Sequence, residues 1–388
     1  SLWPYNNDVS LMMTGGIIYF KTCGISIKDN AYDLNVNITG GKIKTVGNFI
    51  NERPDADLSQ VDLELYGNGT HSLELAGNQT LLHLEINKTD TDFNSKIKPT
   101  DRNGNPLPES TKATSINLAS DLQCDDVDLT SGSLYMNGQE MTVNYDFTVY
   151  EDGAFYMDDP ADVLNVPGYL SWFDFKSGSL GSFTGGTVNL GGWIIPRNGC
   201  SFTATTDNTV RLTEPDGGGL ANYEPTATYG NVIVDAVGNK KYLDLYSTQT
   251  FTINGDLTLN AEDTLELQTN SLILHGEYID HQGSSLIVYN IPAIIMKTDH
   301  NAGITQSKPS GKITKDAYFE MDNFLTINGT LDIGNGSVLA HDFFEVAGTG
   351  SMLIDGGSFI SDVPFAKSKA WNNIHGNFEM TDGLFETT

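Results

Sequence analysis

Between residues 229 and 290 a short apolar cluster returns about every seven positions: "NVIV" (231–234), "YLDLY" (242–246), "FTI" (251–253), "LTL" (257–259), "LEL" (265–267), "LIL" (272–274), "YI" (278–279) and "LIV" (286–288). Runs this short, alternating apolar and polar and separated by Gly, Asn, Asp, Thr and Ser, are strand and turn patterns. Three such strands closed by polar turns make a coil of about twenty residues, a solenoid period. The sequence therefore predicts an all-β chain folded as a right-handed parallel β-helix, with a tandem β-sandwich array as the alternative. A helix would need a sustained i, i+3, i+4, i+7 apolar pattern, and the chain has none over 12 residues.

One phrase occurs twice. "FTINGDLTL" (251–259) and "LTINGTLDI" (325–333) are identical at five of nine positions, and their apolar residues coincide. Asn-Gly ordinarily signals a hairpin. Here Phe251, Ile253, Gly255, Leu257 and Leu259 keep one inside-outside phase across it, which predicts a bend between two inward-facing runs.

A longer repeat overlies the short one, since "TGGKIKTVGNFI" (39–50) matches "TGGTVNLGGWII" (184–195). It divides the chain into a first, partial solenoid segment (1–80), a second unit (81–228) and a third (229–388) that ends inside a repeat, as expected for part of a longer array. The segment 89–114, "TDTDFNSKIKPTDRNGNPLPESTKAT", has no counterpart in the second copy and reads as an inserted, exposed loop.

The succession "LHLEINKT", "INLASDLQCDDVDLTSGSLYMNGQEMTV" and "FTGGTVNLGG" resembles repeats of large surface and secreted proteins of Bacteroidota and related bacteria. The likeness covers most of residues 36–388. It implies extracellular β-solenoids, often exported by type IX secretion, that serve as adhesins, stalks or filament-forming proteins.

Charge and composition narrow the partners. Fifty acidic against 21 basic residues give a net charge of −29, so a phosphate backbone would be repelled and no nucleic acid is expected. No apolar run approaches the ~18 residues of a membrane-spanning helix, and the first residues lack the build of a signal peptide, so any export signal is expected to have been removed. Cys23, Cys124 and Cys200 are too widely spaced for a zinc site or a disulfide framework and read as free thiols.

Three sets of residues carry candidate chemistry. A polysaccharide hydrolase needs paired carboxylates on one outer face, and Asp126 and Asp128 of "QCDDVD" alternate onto one, leaving Asp125 on the other. A lyase would add a cation against the uronate, and residues 113–196 offer only Lys176. "DRNGNPLPE" places Asp101, Asn103, Asn105 and Glu109 at alternate spacing, an oxygen-ligand pattern suited to calcium, although Pro106 and Lys112 stand where an EF-hand has glycine and glutamate. "GYLSWFDF" (168–175) puts Tyr169, Phe173 and Phe175 on one side and Leu170 and Trp172 on the other, with Tyr169 and Trp172 as sugar-stacking candidates. The seven histidines form no ligand motif, and no GxSxG or phosphate-loop signature occurs.

The resulting expectation is a non-enzymatic, extracellular or cell-surface β-solenoid, a structural or adhesive segment of an adhesin, stalk or filament. It would need no cofactor beyond possible calcium, and its partners would be copies of itself or environmental glycans. The alternatives are a β-helix polysaccharide lyase or glycoside hydrolase built on Asp126 and Asp128, and a carbohydrate-binding module built on Trp172.

Overall fold

In the computed structural model every regular element among the described residues is a β-strand. The description covers residues 9–88, 114–214 and 218–260 apart from short breaks, and beyond 260 mainly the strands themselves. Each strand pairs in parallel with the strand one coil away, making a parallel β-helix. The coil repeat follows from the register. Thr187 lies beside Thr209 and Thr209 beside Asn231, 22 residues on each time, while Asp62 lies beside His83, 21 residues on.

The chain divides into two compact units, Ser1–Asn165 with Phe173–Ser182, and Val166–Trp172 with Phe183–Thr388. Ladders run on through the repeat boundaries read from sequence: Leu63 pairs with Leu84 across residue 80, and Val210 with Val232 across residue 228.

In the first unit single strands bend around corners. Leu122–Tyr135 buries Leu122 and Cys124, then Val127 and Leu129, then Leu134, with paired outward residues at Asp125–Asp126 marking a change of face. This one strand pairs with both Thr80–Asn87 and Ser115–Leu118. The chain thus leaves its coil at Lys88 and rejoins it at Thr114, at a corner that the next coil turns through Thr130–Gly132. The Lys88 N–H donates to the Ser131 carbonyl at 3.0 Å and the Ser133 N–H to the Thr114 carbonyl at 2.9 Å. Residues 89–113, most of the segment that the sequence reads as an inserted loop, lie outside the described residues. Inward side chains stack from coil to coil, as Phe147 does on Phe173 at 4.9 Å, and Phe173 also meets Phe175 of its own strand at 4.8 Å.

The second unit has an aromatic column of its own through Phe183, Phe202, Tyr229 and Phe251, at centroid spacings of 4.9, 5.2 and 4.8 Å. The Tyr229 hydroxyl, buried in this column, donates to the Ala221 carbonyl at 2.9 Å, which removes the cost of burying it. The twice-written phrase proves to be a corner. Thr250–Ile253 and Leu257–Leu259 belong to different sheets, as do Phe324–Ile327 and Thr330–Asp332. Phe251, Ile253, Gly255, Leu257 and Leu259 are all buried, so the phase is kept across the bend. Gly255 is required by close approach: a Cβ there would come within 2.2 Å of Asn231 Oδ1.

The corners of this unit are joined between coils by amides. Asn208, fully buried, donates to the Gly185 carbonyl at 2.8 Å and the Gly186 carbonyl at 3.2 Å in the preceding coil. Asn231 Oδ1 accepts the Asp256 N–H at 2.9 Å, and Asn254 Nδ2 donates to the Ala204 carbonyl at 2.7 Å. All three cysteines are free, Cys23 exposed and the other two buried.

Candidate functional site

Among the described residues a dense constellation of ionisable side chains lies on one outer face of the first unit. Because strands stack in register, outward residues form columns. Lys42, Asp62, His83 and Asp126 make one, and Lys44, Glu64, Glu85 and Asp128 the next. Sequence alternation aims every one of these residues outward, since Ile43, Leu63, Leu84 and Val127 between them are buried.

Opposite charges meet across the columns. Lys42 Nζ lies 2.6 Å from Glu85, 3.3 Å from Glu64 and 3.6 Å from Asp62, and Lys44 Nζ 2.5 Å from Glu64. Partial burial disfavours the Lys42 charge, but the hydrogen bond to Glu85 and the fields of Glu85, Asp62 and Glu64 outweigh it and raise its pKa above the ordinary lysine value. His83 is the central clamp. Its Nδ1 lies 3.0 Å from Asp62 and its Nε2 3.2 Å from Asp128. Only an imidazolium donates from both nitrogens, and the bond to Asp128, reinforced by Asp62 against the cost of burial, lifts the His83 pKa to about 8.

Asp126 and Asp128 do share the outer face, but both are engaged. Asp128 holds His83, and Asp126 accepts the Asp146 N–H at 3.2 Å. Asp125 is turned outward too, around the corner, where it accepts from Asn144 Nδ2 at 2.8 Å. The strict alternation expected of adjacent aspartates fails there because the strand bends between them. His83 and Glu85, the partners that define this site, carry no motif in the sequence. The register that brings "LHLEI" beside "CDDVD" spans the 89–114 insertion, so their contact could not be read from spacing.

A second feature is a shallow groove of about 680 Å³ lined by Cys23, Ser26, Asn48, Asn68, Thr70 and His71 among others, none of them carboxylate, lysine or arginine. Burial, with a contribution from Lys88, keeps His71 below its ordinary pKa and hence neutral. Lys88 itself is buried and donates from Nζ to the carbonyls of Val46 and Tyr66 at 3.1 and 3.0 Å. Desolvation pulls its pKa down to about 8.

The aromatic candidates divide differently from the sequence pattern. Phe173 and Phe175 are fully buried, whereas Tyr169, Leu170 and Trp172 are 55, 70 and 46% exposed. Tyr169 leaves the phase of Phe173 because Gly168–Ser171 is a turn and the strand begins only at Trp172. The calcium candidates Asp101, Asn103, Asn105 and Glu109 lie outside the described residues. Among the described residues no three His, Cys, Asp or Glu side chains converge as a metal-ligand group, and no helix is long and apolar enough to cross a membrane.

Comparison with protein-family models, with curated proteins and with solved structures returns no match for this chain.

Proposed function

We propose that the chain is a non-enzymatic structural or adhesive segment of an extracellular β-solenoid. The reading rests on how the first unit uses its ionisable residues. The groups best suited to acid–base chemistry, His83, Asp126 and Asp128, are spent on bonds between coils, with the imidazole bridging Asp62 and Asp128. A general acid or base must be within reach of a substrate proton, and a side chain clamped between two carboxylates on a flat sheet face serves the stack instead. The repeated coil then supplies extension and stiffness, and many weak contacts along it would supply attachment by avidity.

Incubation of the chain with a panel of neutral and acidic polysaccharides tests this directly. The expected result is no growth in reducing ends or unsaturated uronate above a heat-denatured control. Sustained turnover that Asp128→Asn abolishes would overturn the reading in favour of a β-helix polysaccharide-degrading enzyme. Surface labelling of intact source cells by antibody to the chain is expected, and labelling only after permeabilisation would refute the extracellular placement.

The exposed side chains of Tyr169 and Trp172 favour a second reading, carbohydrate contact by aromatic stacking. A glycan array on the intact chain checks it, with a signal lost in Trp172→Ala supporting it and an array blank for the parent chain excluding it.

A further inference from the structure

An asparagine followed by glycine is open to attack from its own backbone, because glycine has no side chain to shield the peptide nitrogen or restrict its rotation. Four such pairs lie among the described residues: Asn68–Gly69, Asn137–Gly138, Asn198–Gly199 and Asn254–Gly255, while those at Asn103, Asn328 and Asn335 lie outside them. Exposure does not single one out, since Asn68, Asn137 and Asn198 are all exposed. The glycine N–H does. Gly138 donates to Asp162 Oδ1 at 2.6 Å, Gly199 to Glu224 Oε2 at 2.7 Å and Gly255 to the Gly230 carbonyl at 3.1 Å. Each bond fixes the peptide plane, and an accepting carboxylate also opposes negative charge on that nitrogen. Asn137 and Asn254 are further tethered through Nδ2, to the Leu118 carbonyl at 3.2 Å and the Ala204 carbonyl at 2.7 Å.

Asn68–Gly69 differs on both counts. Among the described residues neither the Gly69 N–H nor the Asn68 side chain has a hydrogen-bond partner. The carbonyl of this peptide instead meets the imidazole of His71, whose Nε2 lies 3.2 Å from the Asn68 oxygen. A carbonyl oxygen only accepts, so Nε2 carries the proton and donates it. That bond stabilises charge on the oxygen, where the charge of a deprotonated peptide resides, and so eases loss of the Gly69 proton. Gly69 itself holds a φ of +91°, which requires glycine at this place in the turn.

We propose that Asn68 is a self-modification site, at which the folded chain converts an asparagine of the groove into a carboxylate. The Gly69 nitrogen attacks Asn68 Cγ. The N–Cγ bond forms as Cγ–Nδ2 breaks, and the side-chain nitrogen leaves as ammonia with the proton that Gly69 gives up. Water then opens the cyclic imide, giving aspartate when it adds at Cγ with return of a proton to the Gly69 nitrogen, and isoaspartate when it adds at the backbone carbonyl carbon. The groove, lined by no carboxylate, lysine or arginine, thereby gains a fixed negative charge. The isoaspartyl product also adds a methylene to the backbone just before Gly69, whose carbonyl accepts the Ser115 N–H of the next coil at 3.4 Å.

Peptide mapping by mass spectrometry tests the site on the full chain, aged in neutral buffer and sampled over time. Conversion of amide to acid at Asn68 is expected to run about tenfold or more ahead of that at Asn137, Asn198 and Asn254, which react only through local opening. In denaturant, where each pair keeps its glycine and loses its folded partners, the four rates should converge. His71→Phe keeps a ring but removes the donor, and should slow the native reaction at Asn68 severalfold while leaving its rate in denaturant unchanged. A native chain in which Asn68 reacts no faster than the other three would overturn the site. A lead that persisted undiminished in denaturant would assign it to local sequence and overturn the structural argument. An unchanged native rate in His71→Phe would overturn the part given to the imidazole. None of these outcomes bears on the polysaccharide test, so the modification and the structural-segment reading stand or fall separately.

Discussion

The two units solve the same stacking problem with different chemistry on their outer surfaces. In the first, outward columns are ionic: Lys42, Asp62, His83 and Asp126 beside Lys44, Glu64, Glu85 and Asp128. In the second, the column from Thr187 through Thr209 to Asn231 is uncharged, the next outward column carries one cation, Arg211, and coils are tied at their corners by the buried amide of Asn208 and by those of Asn231 and Asn254. Charged staples respond to pH and salt, whereas amide staples do not. The first unit thus gathers its ionic ties into adjacent columns, whereas the second sets its amide ties beside scattered ionic ones, such as Glu224 accepting the Gly199 N–H at 2.7 Å and Arg211 3.1 Å from Asp235.

The contrast should vanish in the core, where the largest effects are expected. Phe173→Ala in the first unit and Phe251→Ala in the second each remove a fully buried ring from a stacked column. Each should cost about 3–5 kcal/mol by lost burial plus cavity. Denaturant unfolding of the two variants checks this, and a cost confined to one unit would mean that stacked inward rings are not the common source of stability.

Next in size is the amide staple. Asn208→Ala removes the amide donor from the buried Gly185 carbonyl and leaves the Gly186 carbonyl only the Thr209 N–H, a loss of about 1–3 kcal/mol. Because no titrating group takes part, the loss should be the same at pH 6 and pH 9. A loss that changed with pH would break the distinction between the two kinds of staple.

Much of the scaffold was legible in the sequence because a period-2 burial pattern survives translation into structure. Phe251, Ile253, Gly255, Leu257 and Leu259 kept their phase through an Asn-Gly pair that in isolation signals a hairpin, and the structure places a corner there. Local patterning failed where the backbone bends without a turn signal, as at Asp125–Asp126, and where a side chain's partner lies a coil away. His83 shows the limit. Its neighbours Asp62 and Asp128 are 21 and 45 residues distant, and the second distance includes an insertion whose exit and return at one corner are visible only in the strand register. Tyr169 was misplaced for a related reason, since a turn at Gly168–Ser171 resets the alternation before the strand begins.

The smallest effect isolates the ionic staple through the sign of its pH dependence. His83 carries a folded-state pKa of about 8, above the ordinary 6.5, so its stabilisation is fully present below pH 6.5 and is lost as pH rises through 8. At a partly solvated site this amounts to about 1 kcal/mol. Lys88 acts in the opposite sense in the same unit. Its pKa falls from 10.5 to about 8 on folding, so the unfolded chain binds more protons above pH 8 and stability recovers as pH rises toward 10.5. A plot of unfolding free energy against pH should therefore dip near pH 8. His83→Gln should erase the fall below pH 8 and spare the rise above it, whereas Lys88→Met should flatten the rise and spare the fall. If His83→Gln left the fall intact, the clamp between Asp62 and Asp128 would not be the source of the pH response, and the ionic columns would be a surface feature with no part in holding the coils together.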